Sequence, residues 1–176
     1  MLSDTLPDYL NSGIEIMSVG INPSPTSVAV GYPFATANNR FWPALNRSKL
    51  VSERREPSIA SMFEMLNKDR IGFTDIVKKP TPRASDLTAA DFEIGTRVLL
   101  SNIALCGPRV LWFQGMTVAK AFIKYSCVTS TIQASWGEMA DSNMPYKIFV
   151  SPNPSGANAR FSLDDLIASF DALSNA

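Results

Sequence analysis

Two asparagines, each followed by Pro-Ser, are the side chains whose type and placement point to chemistry. Asn22-Pro23-Ser24 closes one apolar run (Ile14, Ile16, Met17, Val19, Ile21), and Asn153-Pro154-Ser155 closes another (Ile148, Phe149, Val150). A strand that stops at Asn-Pro leaves its amide at the carboxyl end, the edge on which open α/β sheets bind ligands. In a parallel sheet both amides open on that same edge. Two carboxamides facing one cleft orient a water and hold a polar heterocycle, but neither is a strong base, because a neutral amide takes up no proton at ordinary pH. Such a site suits a reaction with a good leaving group. Phe34, reached through Gly31-Tyr32-Pro33, supplies a flat apolar cover for the cleft. Stacking of an aromatic ring on a nucleobase contributes about 1–3 kcal/mol whatever the base.

The composition removes several alternatives. The chain has no histidine, which excludes Ser-His-Asp triads, Cys-His dyads and most catalytic zinc sites. Cys106 and Cys127 are too few and too isolated for a zinc or iron-sulfur centre and read as small buried hydrophobes, so neither a metal nor a cofactor is expected. Sixteen basic side chains balance sixteen acidic ones. Residues 40–83 nevertheless hold ten Lys or Arg against five Asp or Glu, so one flank is a candidate basic face. Within it, Lys78, Lys79 and Arg83 lie in a loop stiffened by Pro80 and Pro82, where they are candidates for phosphate contact together with the main-chain amides near Ser155 and Gly156.

The elements that must position these groups follow from periodicity. A strand is expected over residues 14–21, then a long loop to Asn39, a helix from Phe41 to Asn46, a helix opened by Ser58, and a short β segment at 72–77. Thr88 opens a helix whose buried stripe is expected to be Phe92, Val98, Leu99, Ile103 and Leu105. Residues 109–114 read as a buried central strand, 116–125 as a helix, 146–151 as a strand, and Ser162 as the cap of a last helix over 163–173. Alternating strands and helices predict an α/β fold, a three-layer α/β/α sandwich around a mainly parallel sheet. A length of 176 residues suits one domain over the whole chain. No apolar run approaches a membrane span and residues 1–4 lack the basic start of a signal peptide, so a cytoplasmic location is expected.

Several separated blocks together resemble one family. Gly20-Ile21-Asn22-Pro23-Ser24, Gly31-Tyr32-Pro33-Phe34, Asn39-Arg40-Phe41-Trp42, Gly72-Phe73-Thr74-Asp75 and Pro152-Asn153-Pro154-Ser155-Gly156 are similar, in order, to the mismatch-specific uracil/thymine DNA glycosylases of the uracil-DNA glycosylase superfamily. The resemblance runs from about residue 14 to residue 173. It implies a monofunctional, metal-free enzyme of base excision repair, a monomer acting on double-stranded DNA. Such an enzyme would hydrolyse the N-glycosidic bond of uracil, and of thymine or ethenocytosine, opposite guanine. It implies roles residue by residue: Asn22 positions the attacking water, Asn153 faces the leaving base, Ile21, Ser24 and Ser27 line the base site, and Phe34 stacks on the base. The loop Gly156-Ala157-Asn158-Ala159-Arg160 matches the segment that penetrates the duplex. Ser24 stands where some members have glycine, and Ala157 is smaller than the leucine wedge of one branch.

Three other readings stay open at this point. The same pocket retuned to another base lesion such as hypoxanthine is one, and a non-catalytic nucleic-acid-binding α/β module is another. A site for a small phosphorylated metabolite is weaker, because no Gly-rich dinucleotide fingerprint or phosphate loop follows any strand.

Overall fold

Apolar side chains cover both faces of a five-stranded sheet, which is why helices flank it on either side. The structure, a computed structural model, describes residues 4–126, 133–139 and 144–176. Strands β1 (Ile16–Gly20), β2 (Ile71–Asp75), β3 (Val110–Gln114), β4 (Gly137–Met139) and β5 (Lys147–Ser151) lie in the order β2-β1-β3-β5-β4. All neighbours are parallel except β4, which pairs antiparallel with β5 at one edge. The expected three-layer α/β/α architecture is the observed one. The antiparallel β4 was not expected: three residues are too few to show an alternating pattern.

Helices α1 (Pro25–Val30), α2 (Phe41–Arg47), α3 (Ile59–Asn67), α4 (Ala89–Cys106), α5 (Met116–Ser126) and α6 (Leu163–Leu173), with a 3-10 turn at Ala84–Asp86, complete the described elements. Successive strand residues point to opposite faces, so Met17, Val19, Leu111, Phe113, Ile148 and Val150 form one core with Leu99 and Ile103 of α4 and Val118 and Phe122 of α5. Ile71, Phe73, Val110, Trp112 and Phe149 form the other with Phe41 and Leu45 of α2, Met62 and Met65 of α3, and Leu166 and Phe170 of α6. Thr88 and Ser162 cap their helices through capping boxes with Asp91 and Asp165, whose carboxyls are held below the usual range by the hydrogen bonds they accept. Among the described residues, no helix is long and apolar enough to cross a membrane.

Several expectations need correction. The first strand is shorter than 14–21, since Ile14 is buried in the core ahead of it and Ile21 already belongs to the turn. The segment to Asn39 is not all loop: Ser24 accepts a hydrogen bond from the Ser27 N–H, Pro25 starts α1, and Gly31 ends it in the left-handed conformation at φ 84°. Val98 and Leu105 are exposed, not buried, because the inward face of α4 is set by Gly95, Thr96, Leu99 and Ile103. Cys106 is half-buried, and Cys127 lies outside the described residues.

Candidate active site

β1 lies between β2 and β3, and the chain leaves β1 toward β2 but leaves β3 toward β5. Their outgoing connections therefore diverge, which opens a crevice at the carboxyl ends of these two strands. A cavity of about 240 Å³ occupies that place, and Asn22 and Asn153 both line it. The register explains the meeting: Gly20 stands beside Asp75, and Gln114 beside Ser151, so all four strand ends finish level.

The orientation of Asn22 is fixed from outside its own strand. Its Nδ2 donates to the Lys79 carbonyl at 3.0 Å and to Thr81 Oγ1 at 2.8 Å, while the Thr81 hydroxyl donates onward to the Arg83 carbonyl. Both amide hydrogens are thereby engaged. Among the described residues nothing donates to Oδ1, which is left as an acceptor for a ligand or water. The Thr81 N–H also bonds the Pro23 carbonyl at 3.3 Å, so the proline-stiffened loop is latched onto the turn it orients. Sequence reading missed Thr81, whose partner lies 59 residues away.

Asn153 is held the other way round. Its Oδ1 accepts from the Ser155 N–H at 2.8 Å and its Nδ2 donates to the Gln114 carbonyl at 3.1 Å, leaving one N–H without a partner among the described residues. Gln114 adds a third amide to the cavity wall. It is buried and donates to Ser18 Oγ at 3.0 Å, and Ser151 Oγ, approached by Trp112 Nε1 at 2.7 Å, lies beside it. This buried polar network makes the cavity floor rigid.

Ile21, Ser24, Ser27 and Phe34 also line the cavity. Ser27 is buried and bonded to Ser24, which limits it to a fixed polar wall. Phe34 has one ring face stacked on Phe41, with centroids 3.9 Å apart and planes inclined by 14°, so a planar ligand has the other side available. Its backbone sits at φ 60°, a conformation a non-glycine residue holds only where surrounding structure enforces it, as happens at ligand clamps.

A further residue in the wall brings a carboxyl that sequence reading did not assign to the site. Asp75 lines the cavity, and no described residue donates a hydrogen bond to its carboxyl. A Cβ on Gly20 would lie 2.2 Å from Asp75 Oδ1, so only glycine lets this carboxyl lie across the end of β1. Burial raises its pKa to about 7, with Lys78 opposing the shift and Asp8 adding to it. The alternation Ile71, Phe73, Asp75, which puts a carboxyl on a core-facing side, was the signal available.

The expected DNA-facing residues fall into two groups. Lys78 is bonded to Asp8 and to Thr74, at 2.6 Å from the latter, whereas Lys79 and Arg83 are exposed and only loosely paired with Asp91 at 3.5 Å and Asp86 at 3.2 Å. Most of the basic excess in 40–83 is matched by acids from outside it, since Lys78 meets Asp8, Arg47 meets Asp164 and Arg70 meets Glu15, while Arg55 is buried among Glu53, Glu64 and Asp69 of the segment itself. The expected basic face is thus reduced to a few exposed side chains. At the other rim, Gly156, Ala157 and Arg160 are exposed at the tip of the loop after β5, while Asn158 turns back onto the Asn153 carbonyl at 2.9 Å and Ser155 Oγ accepts from the Ala157 N–H. Arg40 braces this loop from below through the carbonyls of Ser155, Asn158 and Phe161.

A mostly parallel sheet with an amide-lined cavity at its switch point defines, with the family match, an enzyme that hydrolyses N-glycosyl bonds. The chain belongs to the uracil DNA glycosylase superfamily, whose model matches residues 7–173. A solution structure from Methanosarcina acetivorans, described as that of a candidate uracil DNA glycosylase, covers 98% of this chain and 99% of its own length at a TM-score of 0.59 and 21% identity, and so shares the fold.

Proposed function

We propose that this protein removes uracil from DNA by hydrolysing its N-glycosidic bond, with uracil opposite guanine as the preferred substrate and thymine or ethenocytosine as further ones. The observation that carries the reading is the amide of Asn22, whose hydrogens are engaged by Lys79 and Thr81 so that its oxygen, to which no described residue donates, stands open beside a cavity of about 240 Å³. Double-stranded DNA is the partner, and the base must leave the stack, which costs a few kcal/mol and least for a mispair. The flipped base stacks on Phe34. As the bond stretches, positive charge grows on the sugar and negative charge on the base, and the remaining N–H of Asn153 meets the latter, with Gln114 holding that amide through its carbonyl. Asn22 Oδ1 accepts a hydrogen bond from the water that adds to C1′. A neutral amide orients that water without deprotonating it, so turnover is slow. Gly156, Ala157 and Arg160 enter the space left by the base, and Lys79 and Arg83 contact phosphates.

The reading is tested by incubating the protein, with chelator, on G·U, G·T, A·U and single-stranded uracil substrates, followed by alkaline cleavage of abasic sites. Strand breaks are expected first and fastest on G·U. Equal breaks on all four would overturn the mismatch preference, and binding without breaks on any would overturn the enzymatic reading.

A further inference from the structure

Building on that reading, one group in the cavity remains without a task. Asp75 sits at the end of β2, in the wall shared by the main cavity and a narrow recess that runs under Phe34 past Pro33, Phe73 and Thr74. A base stacked on Phe34 therefore has this carboxyl near its edge, whereas Asn22 is tied to Thr81 on the loop that follows β2. The missing Cβ of Gly20 is what makes room for Asp75 Oδ1 there.

The surroundings decide which form of the carboxyl is held. An ionised carboxylate set into a protein normally accepts several hydrogen bonds, and this one accepts none from described residues. Among the described residues, the ionisable groups facing it are Asp8 and Tyr9 from the segment before β1 and Lys78 from the turn after β2. Lys78 already answers Asp8, which leaves little of its charge for Asp75. A base entering the cavity removes the remaining water. Desolvation, the missing donors and Asp8 favour the neutral acid against the opposing charge of Lys78, and the pKa of about 7 already lies well above an ordinary aspartate.

We propose that Asp75 is a further catalytic residue, a carboxyl kept protonated so that it donates to a carbonyl oxygen of the departing base. The balance is simple. The C1′–N bond breaks with its electron pair moving into the base, the Asp75 proton passes to the base oxygen, water adds hydroxide to C1′, and its proton returns to the carboxylate through solvent. A side chain that keeps a carboxylic acid neutral to donate a hydrogen bond is an established device for stabilising oxyanions. It supplements the Asn153 amide, which can donate but cannot transfer a proton.

The test is the single-turnover rate of uracil release from a G·U duplex across pH 5–9 for wild type, Asp75→Asn and Asp75→Ala, repeated with 5-fluorouracil, whose anion is the better leaving group. Wild type is expected to lose rate as pH rises through neutrality. Asp75→Ala should be slower by about tenfold to a hundredfold at pH 6 and Asp75→Asn by less, both with that limb gone. The defect should shrink on 5-fluorouracil, which a merely structural loss would not produce. Titration of the Asp75 carboxyl followed by carbon-13 NMR gives a readout free of activity and of the variants' folding, with a midpoint near neutrality expected. A wild-type rate that is flat or rises with pH, or a midpoint in the ordinary aspartate range, overturns the proposal while the glycosylase reading stands. Failure to release base from any duplex overturns that reading, and this inference with it.

Discussion

The two Asn-Pro-Ser turns have identical sequence and opposite polarity. At the end of β1, Asn22 has both amide hydrogens engaged, by the Lys79 carbonyl and the Thr81 hydroxyl, and presents an acceptor. At the end of β5, Asn153 has its oxygen engaged by the Ser155 N–H and presents a donor. Each turn is fixed by a segment remote in sequence, since the Thr81 N–H bonds the Pro23 carbonyl and the Arg40 N–H bonds that of Pro154. The lesson is that a motif sets where a side chain stands, while its neighbours set what it offers. An acceptor suits a water on its way to the sugar, and a donor suits the charge that collects on the base.

This contrast can be broken at either end. The largest effect is expected from Asn22→Ala, which removes the acceptor: single-turnover excision should fall by about a hundredfold or more with duplex affinity unchanged. Asn22→Asp keeps the shape and adds a base, but it turns a carboxylate oxygen toward the Lys79 carbonyl and Thr81, so a thermal melt should show it less stable than wild type. Thr81→Val frees one amide hydrogen and lets the amide turn over. With one hydrogen bond contributing about 1 kcal/mol, a five- to tenfold loss of rate is expected by rapid-quench kinetics.

Asn153→Ala sharpens the comparison from the other side. It removes the donor offered to the leaving base as well as the contacts to Ser155 and Gln114 that hold the loop after β5, so it should slow single-turnover excision and weaken binding to a mismatched duplex by a few-fold each, the latter measured by fluorescence anisotropy. A smaller effect concerns stability. The folded pKa of Asp75 lies above its unfolded value of 3.8, so the fold favours the protonated form and loses that stability as pH rises toward and through about 7. Asp75→Asn should therefore melt higher than wild type at pH 8, and the gap should close as pH falls toward the ordinary carboxylate range.

Much of the frame was legible in the sequence because it depends on local patterns. Ser58, Thr88 and Ser162 mark helix starts, the run 109–114 marks a buried strand, and amides at strand ends mark the edge on which the cavity opens. α1 was hidden because prolines and serines that read as loop also serve as a helix cap and first turn. The rest of the site depends on register. Asp75 matters because it stands beside Gly20, Gln114 because it meets Ser18 and Ser151, and Arg40 because its guanidinium reaches carbonyls 115 to 121 residues away. No single segment carries that information. The basic excess in 40–83 misled for a similar reason, since its partners Glu15, Asp8 and Asp164 lie outside the segment.

The most direct test is to quantify free uracil by chromatography after mixing excess protein with a G·U duplex in chelator, alongside Asn22→Ala. The account predicts one free uracil and one abasic site per duplex with wild type, and almost none with Asn22→Ala over the same time at equal occupancy. Duplex bound by wild type with its uracil intact, or equal release by the two proteins, would contradict it.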